Sequence, residues 1–193
     1  MSINAQRSEP SQARLIVTGP GVRTRRRLRS MLRKSVPGSL VRRTGFPSVF
    51  VLEAAGDPPD IARMAIQSCS ENIGHVTAVL AEVDSKFEQI RESAVRISAE
   101  QVREGENFCF RLHKRGSHSL EKGTCSLERE IGGAIWEAIK QQRGDAPEVD
   151  LKHPDITITA EVLGPKTAIG ISRKAWAERA DSASSSPNAP AQG

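Results

Sequence analysis

The eleven residues Phe108-Cys-Phe-Arg-Leu-His-Lys-Arg-Gly-Ser-His118 constrain the fold of this chain more than any other stretch. Phe108, Phe110 and Leu112 alternate with Cys109, Arg111 and His113, the period-2 pattern of a half-buried β-strand. The strand runs into Lys114-Arg115-Gly116, where glycine permits the positive φ of a sharp turn. Two cations and an imidazole are thereby carried to a strand end beside exposed backbone N–H groups. That combination suits an anionic partner, and phosphate is the commonest large one.

Charge along the chain points the same way. Between Pro10 and Leu52 no acidic residue occurs, while Arg14, Arg23, Arg25, Arg26, Arg27, Arg29, Arg33, Lys34, Arg42 and Arg43 all do. A one-signed field attracts polyanions and accelerates association with them, although a solvated basic face or an anionic-membrane patch has the same composition. The 193 residues allow one domain or two small ones, and 37% hydrophobic with 26% charged residues describes a soluble globular chain. No apolar run reaches the roughly 20 residues that span a bilayer, and no signal peptide precedes the first strand, so a cytoplasmic protein is expected. Cys69, Cys109 and Cys125 lack CxxC spacing and are expected as reduced, buried thiols.

Two blocks lie between a polar lead (residues 1–13) and a low-complexity tail (177–193), both expected to be disordered. In the first block, 14–83, Leu15-Ile-Val17 reads as a strand ending at Gly19-Pro-Gly21. A helix from about Val22 to Lys34 turns Leu28, Met31 and Leu32 inward and its arginines outward. Strands over Leu40–Thr44 and Val49–Glu53, a helix opened by Pro58-Pro59-Asp60, and a strand over Val76–Val83 complete the order. This β-α-β-β-α-β order predicts a ferredoxin-like arrangement and an α+β chain. The second block, 84–176, opens with a helix from Asp84 or Ser85 to about Arg103, whose stripe is Phe87, Ile90, Ala94 and Ile97. After the Phe108 strand, a helix from about Ser126 to Gln142 has Thr124 or Ser126 as its cap. Gly132-Gly133 in its middle costs about 1 kcal/mol each against alanine, which predicts close approach by a strand or another backbone. Strands over Ile156–Leu163 and Thr167–Ser172 turn at Gly164-Pro165-Lys166.

Phe110-Arg-Leu-His-Lys-Arg-Gly-Ser-His118, Ser126-Leu-Glu-Arg-Glu-Ile-Gly132, Val149-Asp-Leu151 with Pro154-Asp155, and Ile169-Gly-Ile-Ser172 occur in this order. Together they resemble the THUMP domain, an RNA-binding module of tRNA-modifying enzymes and their accessory proteins. The resemblance covers roughly Phe87 to Ala175, and the first block resembles the ferredoxin-like domain that usually precedes THUMP. It implies a unit that grips tRNA around the acceptor stem and 3′ end and positions it for catalysis. No methyltransferase-type glycine loop, P-loop or thiolation cysteine pair accompanies it here. The expectation is therefore a non-catalytic adaptor of the stand-alone accessory class, similar to the one assisting a separate tRNA cytidine acetyltransferase.

The residues expected to meet RNA are Arg23, Arg25, Arg26, Arg29, Arg33, Lys114, Arg115, Gly116, His118, Lys152 and Arg173. Each has a plainer reading: Lys114 and Arg115 as solvated charges, His118 as the cap of a turn. His113 and His118 are not at a metal-ligand spacing and no thiolate cluster accompanies them, so neither metal nor cofactor is expected. Asp150 and Asp155 read as turn residues that accept backbone N–H groups. Two other functions stay open: a compact RNA-acting enzyme using His118, His153 and Asp155, and an assembly protein for which RNA is incidental.

Overall fold

A computed structural model describes residues 12–21 and 25–178. The elements run β1 (Gln12–Thr18), α1 (Arg25–Ser35), β2 (Leu40–Arg43), β3 (Val49–Ala55), α2 (Pro58–Cys69) and β4 (His75–Asp84). They continue with α3 (Phe87–Gln101), β5 (Phe108–Arg115), α4 (Thr124–Arg143), β6 (Ile156–Leu163) and β7 (Lys166–Arg173). The expected lead up to residue 11, the tail from residue 179 and Arg23 lie outside the described residues.

All seven strands form one sheet in the order β2-β3-β1-β4-β7-β6-β5. Strand β4 joins the two blocks: its first half pairs antiparallel with β1 and its second half with β7, across a bulge between Val79 and Ala81. Pairing is antiparallel throughout except between β5 and β6, which are parallel because α4 carries the chain back between them. The mixed α+β class is thus as read from the sequence.

Alternation along the strands sorts the residues onto two faces. Leu15, Val17, Phe50, Leu52, Val76, Ala78, Phe108, Phe110, Leu112 and Ile158 share one core with Leu28, Ile61, Ile90, Leu127, Ile131 and Ile135 of the helices. Among the described residues, the opposite face holds a small cluster of Ile16, Val49 and Ala168, with Phe46, Val51, Val79 and Leu163 packed on it and no helix residue taking part.

That second face is concave. The register puts Glu82 of β4 level with Ala168, and Ala168 level with Glu161 of β6, yet it is His75, seven positions earlier in β4, that hydrogen-bonds Glu161. The sheet must curl over itself to bring them together, and the bulge in β4 supplies the extra twist. Gly170 of β7 permits this crossing, because a Cβ there would collide with the Ala78 carbonyl oxygen.

Local details depart from the sequence reading. Helix α4 starts two residues early with Gly123 as its N-cap, and no side chain caps it. Ser85 precedes α3 and instead donates its hydroxyl to the Gly164 carbonyl (2.7 Å), locking the β6–β7 turn. The close backbone approach expected at Gly132-Gly133 is not there. A Cβ at 132 would find its nearest neighbour, the Phe110 Cβ, at 4.0 Å, and one at 133 would find nothing within 4 Å. The two glycines instead border a cavity of about 520 Å³ with Phe108, Trp136, Val149 and Leu151. Cys69 and Cys109 are buried as expected, but Cys125 is exposed: in α4 it lies off the inward stripe of Leu127, Ile131, Ile135 and Ile139.

Candidate nucleic-acid interface

The basic helix is amphipathic: Leu28 and Leu32 are buried with Met31 packed beside the core, and arginine and lysine dominate the rest of its circumference. No acidic residue occupies its first turn, so the positive end of the helix dipole adds to the arginine charge. Arg25, Arg26 and Arg29 line a pocket of about 170 Å³ with Arg43 and Phe46 through Phe50. Arg29 Nε is buried there with no hydrogen-bond partner among the described residues. Arg33 stands with Arg26, Arg29, Ser30 and Lys34 along a second, more open depression on the same helix.

Phe46 links this pocket to the turn after β5. Gly116 has φ +74°, the left-handed conformation expected from its place in the sequence. A Cβ there would lie 2.8 Å from Phe46 Cζ and 3.3 Å from the Gly164 Cα. The arginine pocket and the Lys114-Arg115-Gly116 turn, some 70 residues apart in the chain, are therefore contiguous. Lys114 Nζ donates to the Lys122 carbonyl at 2.8 Å. His118 takes the role of a cap, its Nδ1 accepting from the Leu120 N–H at 3.3 Å.

Arg115 turns inward. Its Nη1 donates to Glu161 Oε2, and Glu161 Oε1 bonds His75 Nε2. The Glu161 side chain has no exposed surface, against 25% for Arg115 and 31% for His75. Burial alone would raise the Glu161 pKa, but the hydrogen bond from His75 and the charges of His75, Arg115 and His113 hold it below the ordinary carboxylate value. His113, register partner of Glu161, stacks on His75 with ring centroids 4.9 Å apart. Burial, as the largest cause, depresses its pKa below the ordinary imidazole value. Thr18 Oγ1 sits 2.7 Å from His75 Nδ1 and also accepts the His75 backbone N–H at 3.1 Å.

Two other expected RNA contacts fall elsewhere. Arg173 is corrected: its guanidinium bonds Glu106 and the Gln101 carbonyl, and only 11% of its side chain is exposed. The internal ion pair holds the guanidinium away from solvent, where a phosphate would have to meet it. Lys152 is exposed in the turn before β6, held where Asp150 Oδ1 accepts the N–H groups of Lys152 (2.8 Å) and His153 (3.0 Å). These backbone bonds lower the Asp150 pKa, and Asp155 Oδ2 accepts the Asn107 N–H at 3.2 Å. Both carboxylates act as backbone acceptors, Asp150 locally as expected and Asp155 across to the segment before β5.

Sequence reasoning did not single out His75, Glu161 or Phe46. His75 and Glu161 are 86 residues apart, and the only local signal was an acidic residue on an otherwise apolar strand, Thr157-Ile-Thr-Ala-Glu-Val162.

Residues 84–172 match the model of the THUMP domain. A THUMP domain is present in this chain. The tRNA sulfurtransferase of Aliivibrio salmonicida is 31% identical to this chain over 101 residues, 52% of this chain and 19% of the relative. That of a Shewanella strain is 27% identical over 141 residues, 72% of this chain and 27% of the relative. Among solved structures, a 4-thiouridine synthetase in complex with RNA and bound ATP superposes with a TM-score of 0.52 at 18% identity. The superposition covers 84% of this chain and 42% of the synthetase, and at that identity it shows a shared fold. The chain thus spans between a fifth and somewhat over a quarter of the curated relatives' length.

These findings correct the expectation of a non-catalytic accessory subunit. The relatives named above, two tRNA sulfurtransferases and a 4-thiouridine synthetase, are enzymes by name. Enzyme motifs missing from 193 residues carried that expectation, and such an absence says little when most of a relative's length has no counterpart here. No helix of the described residues is long and apolar enough to cross a membrane.

Proposed function

We propose that this protein is the tRNA-gripping part of a tRNA-modifying system, holding the acceptor stem and 3′ end for a catalytic unit. The carrying observation is the Phe46–Gly116 contact, which makes one surface of the arginine pocket and the turn after β5. Arg25, Arg26, Arg29 and Arg33 of the N-terminal block, which we read as ferredoxin-like, lie along the RNA backbone. Lys114 and His118 meet the acceptor end, with Gly116 letting the chain approach it closely, and Lys152 makes a separate backbone contact from the turn before β6. Double-stranded RNA hides its base edges in a deep groove, so recognition is of shape and phosphate, which suits a surface rich in arginine and poor in aromatics. A tRNA ligand implies action in the cytoplasm.

For the reaction served, the relatives' names favour sulfur transfer to tRNA over the cytidine acetylation suggested by the accessory-class resemblance. The test of tRNA binding is titration with tRNA across a range of salt. With about four to six phosphates contacted, log K against log salt is expected to slope by about −3 to −5. A slope near zero would remove the electrostatic basis of the reading. Copurified enzyme and the modified nucleoside of bound tRNA then separate sulfur transfer from acetylation.

A further inference from the structure

Three side chains from three strands converge on the concave face: His75 from β4, His113 from β5 and Glu161 from β6. One ligand atom from each lies within 4.8 Å of the other two. We propose that these residues form a binding site for a divalent transition ion of the zinc class, with two imidazoles, one carboxylate and an open coordination position.

The donor set fits that ion. Two histidines and a carboxylate are a recurring three-residue set for zinc and its neighbours, whereas magnesium and calcium take mainly oxygen ligands. Ligand atoms around tetrahedral zinc stand roughly 3.3 Å apart, given metal–ligand bonds of about 2.0–2.2 Å, so small side-chain rotations suffice. All three residues sit on paired strands rather than loops, which fixes their spacing.

The surroundings already orient each ligand. Arg115 holds Glu161 Oε2, leaving Oε1 to bind the ion through one oxygen. For His75 to bind through Nε2, its proton must sit on Nδ1, and Thr18 Oγ1 is there to accept it at 2.7 Å. The Thr18 hydroxyl can in turn donate to the His75 carbonyl at 3.4 Å, so the chain of donors and acceptors closes. Outer partners of this kind set the tautomer and ring orientation of metal-bound histidines. In the metal-free form His75 Nε2 and Glu161 Oε1 are hydrogen-bonded to each other, and an entering ion would take the place of that bond. His75 and His113 are only half-buried, so an ion can reach them from solvent.

The test uses the full chain, treated with chelator and titrated with zinc by calorimetry and with cobalt by visible absorption. One ion per chain is expected, with ligand-field bands of low-symmetry cobalt. His75→Ala and His113→Asn should each weaken binding by more than tenfold. Thr18→Val, which touches no ion, should weaken it by about tenfold or more through the lost outer hydrogen bond. Cys125→Ser and His118→Ala should leave the affinity unchanged. Circular dichroism and thermal melting of each metal-free variant separate loss of ligand from loss of fold. The proposal is overturned if the wild type takes up no ion, if the folded His75→Ala/His113→Asn pair binds as wild type, or if Cys125→Ser abolishes binding. These readouts are independent of RNA, so failure here leaves the tRNA reading standing.

Discussion

Phe46 lies over the backbone of Gly116 so closely that a Cβ at 116 would come within 2.8 Å of its ring. The contact joins the β2–β3 loop of the first block to the basic turn of the second, and it demands glycine twice: for space and for φ +74°. Gly116→Ala is expected to destabilise the fold by about 1–3 kcal/mol through strain and displacement of Phe46. Phe46→Ala makes room, so the double variant should be more stable than the sum of the single effects, with a coupling of about 1 kcal/mol. Urea unfolding of the four proteins measures it. Strict additivity would mean that the ring does not press on Gly116.

Charge reversal on α1 tests the phosphate track. Arg26→Glu with Arg29→Glu should weaken binding of all tRNAs to a similar degree, because backbone contacts carry no base identity. The salt slope should also become shallower by roughly one to two. Unchanged affinity in a folded variant would move the RNA surface away from this helix.

Arg115 was expected to grip phosphate, and the structure ties it to a buried carboxylate. Arg115→Ala should therefore destabilise the fold by about 3 kcal/mol, since it strips a cation from a fully buried Glu161. Adding Glu161→Gln should restore much of that loss by removing the unpaired charge. Affinity measured with intact and end-trimmed tRNA distinguishes the roles. A variant of wild-type stability that loses affinity only for the intact ligand would show that Arg115 serves the RNA instead.

The Glu106–Arg173 pair predicts a specific response to acid. Burial works to raise the Glu106 pKa, yet the Arg173 hydrogen bond and charge, with the Arg103 N–H, bring it below the ordinary 4.5. A carboxyl that titrates lower when folded stabilises the fold above about pH 4.5, and that contribution disappears as pH falls through the lower folded value. Wild type should lose thermal stability over this window more steeply than Glu106→Gln, and the two curves should converge in strong acid. Parallel curves would show that the pair adds nothing.

Much of this protein was determined by local pattern alone. Period-2 alternation marked β5, the Gly164-Pro165-Lys166 turn separated β6 from β7, and 3.6-residue periodicity marked α3 and α4, because an amphipathic element must present one apolar face to the core. The arginine-rich α1 and the positive φ of Gly116 were legible for the same reason: charge and backbone permission belong to individual residues. Where the sheet curls is a different matter. The β4 bulge and the bare Gly170 let β4 and β7 cross tightly, which brings His75 to Glu161 and Phe46 to Gly116. A charged residue's partner is set by that path through space, so only the tertiary structure could turn Arg115 and Arg173 inward to Glu161 and Glu106. It could equally leave Gly132-Gly133 bordering a cavity and Cys125 in solvent, since sequence spacing states which face a residue is on but not what stands opposite.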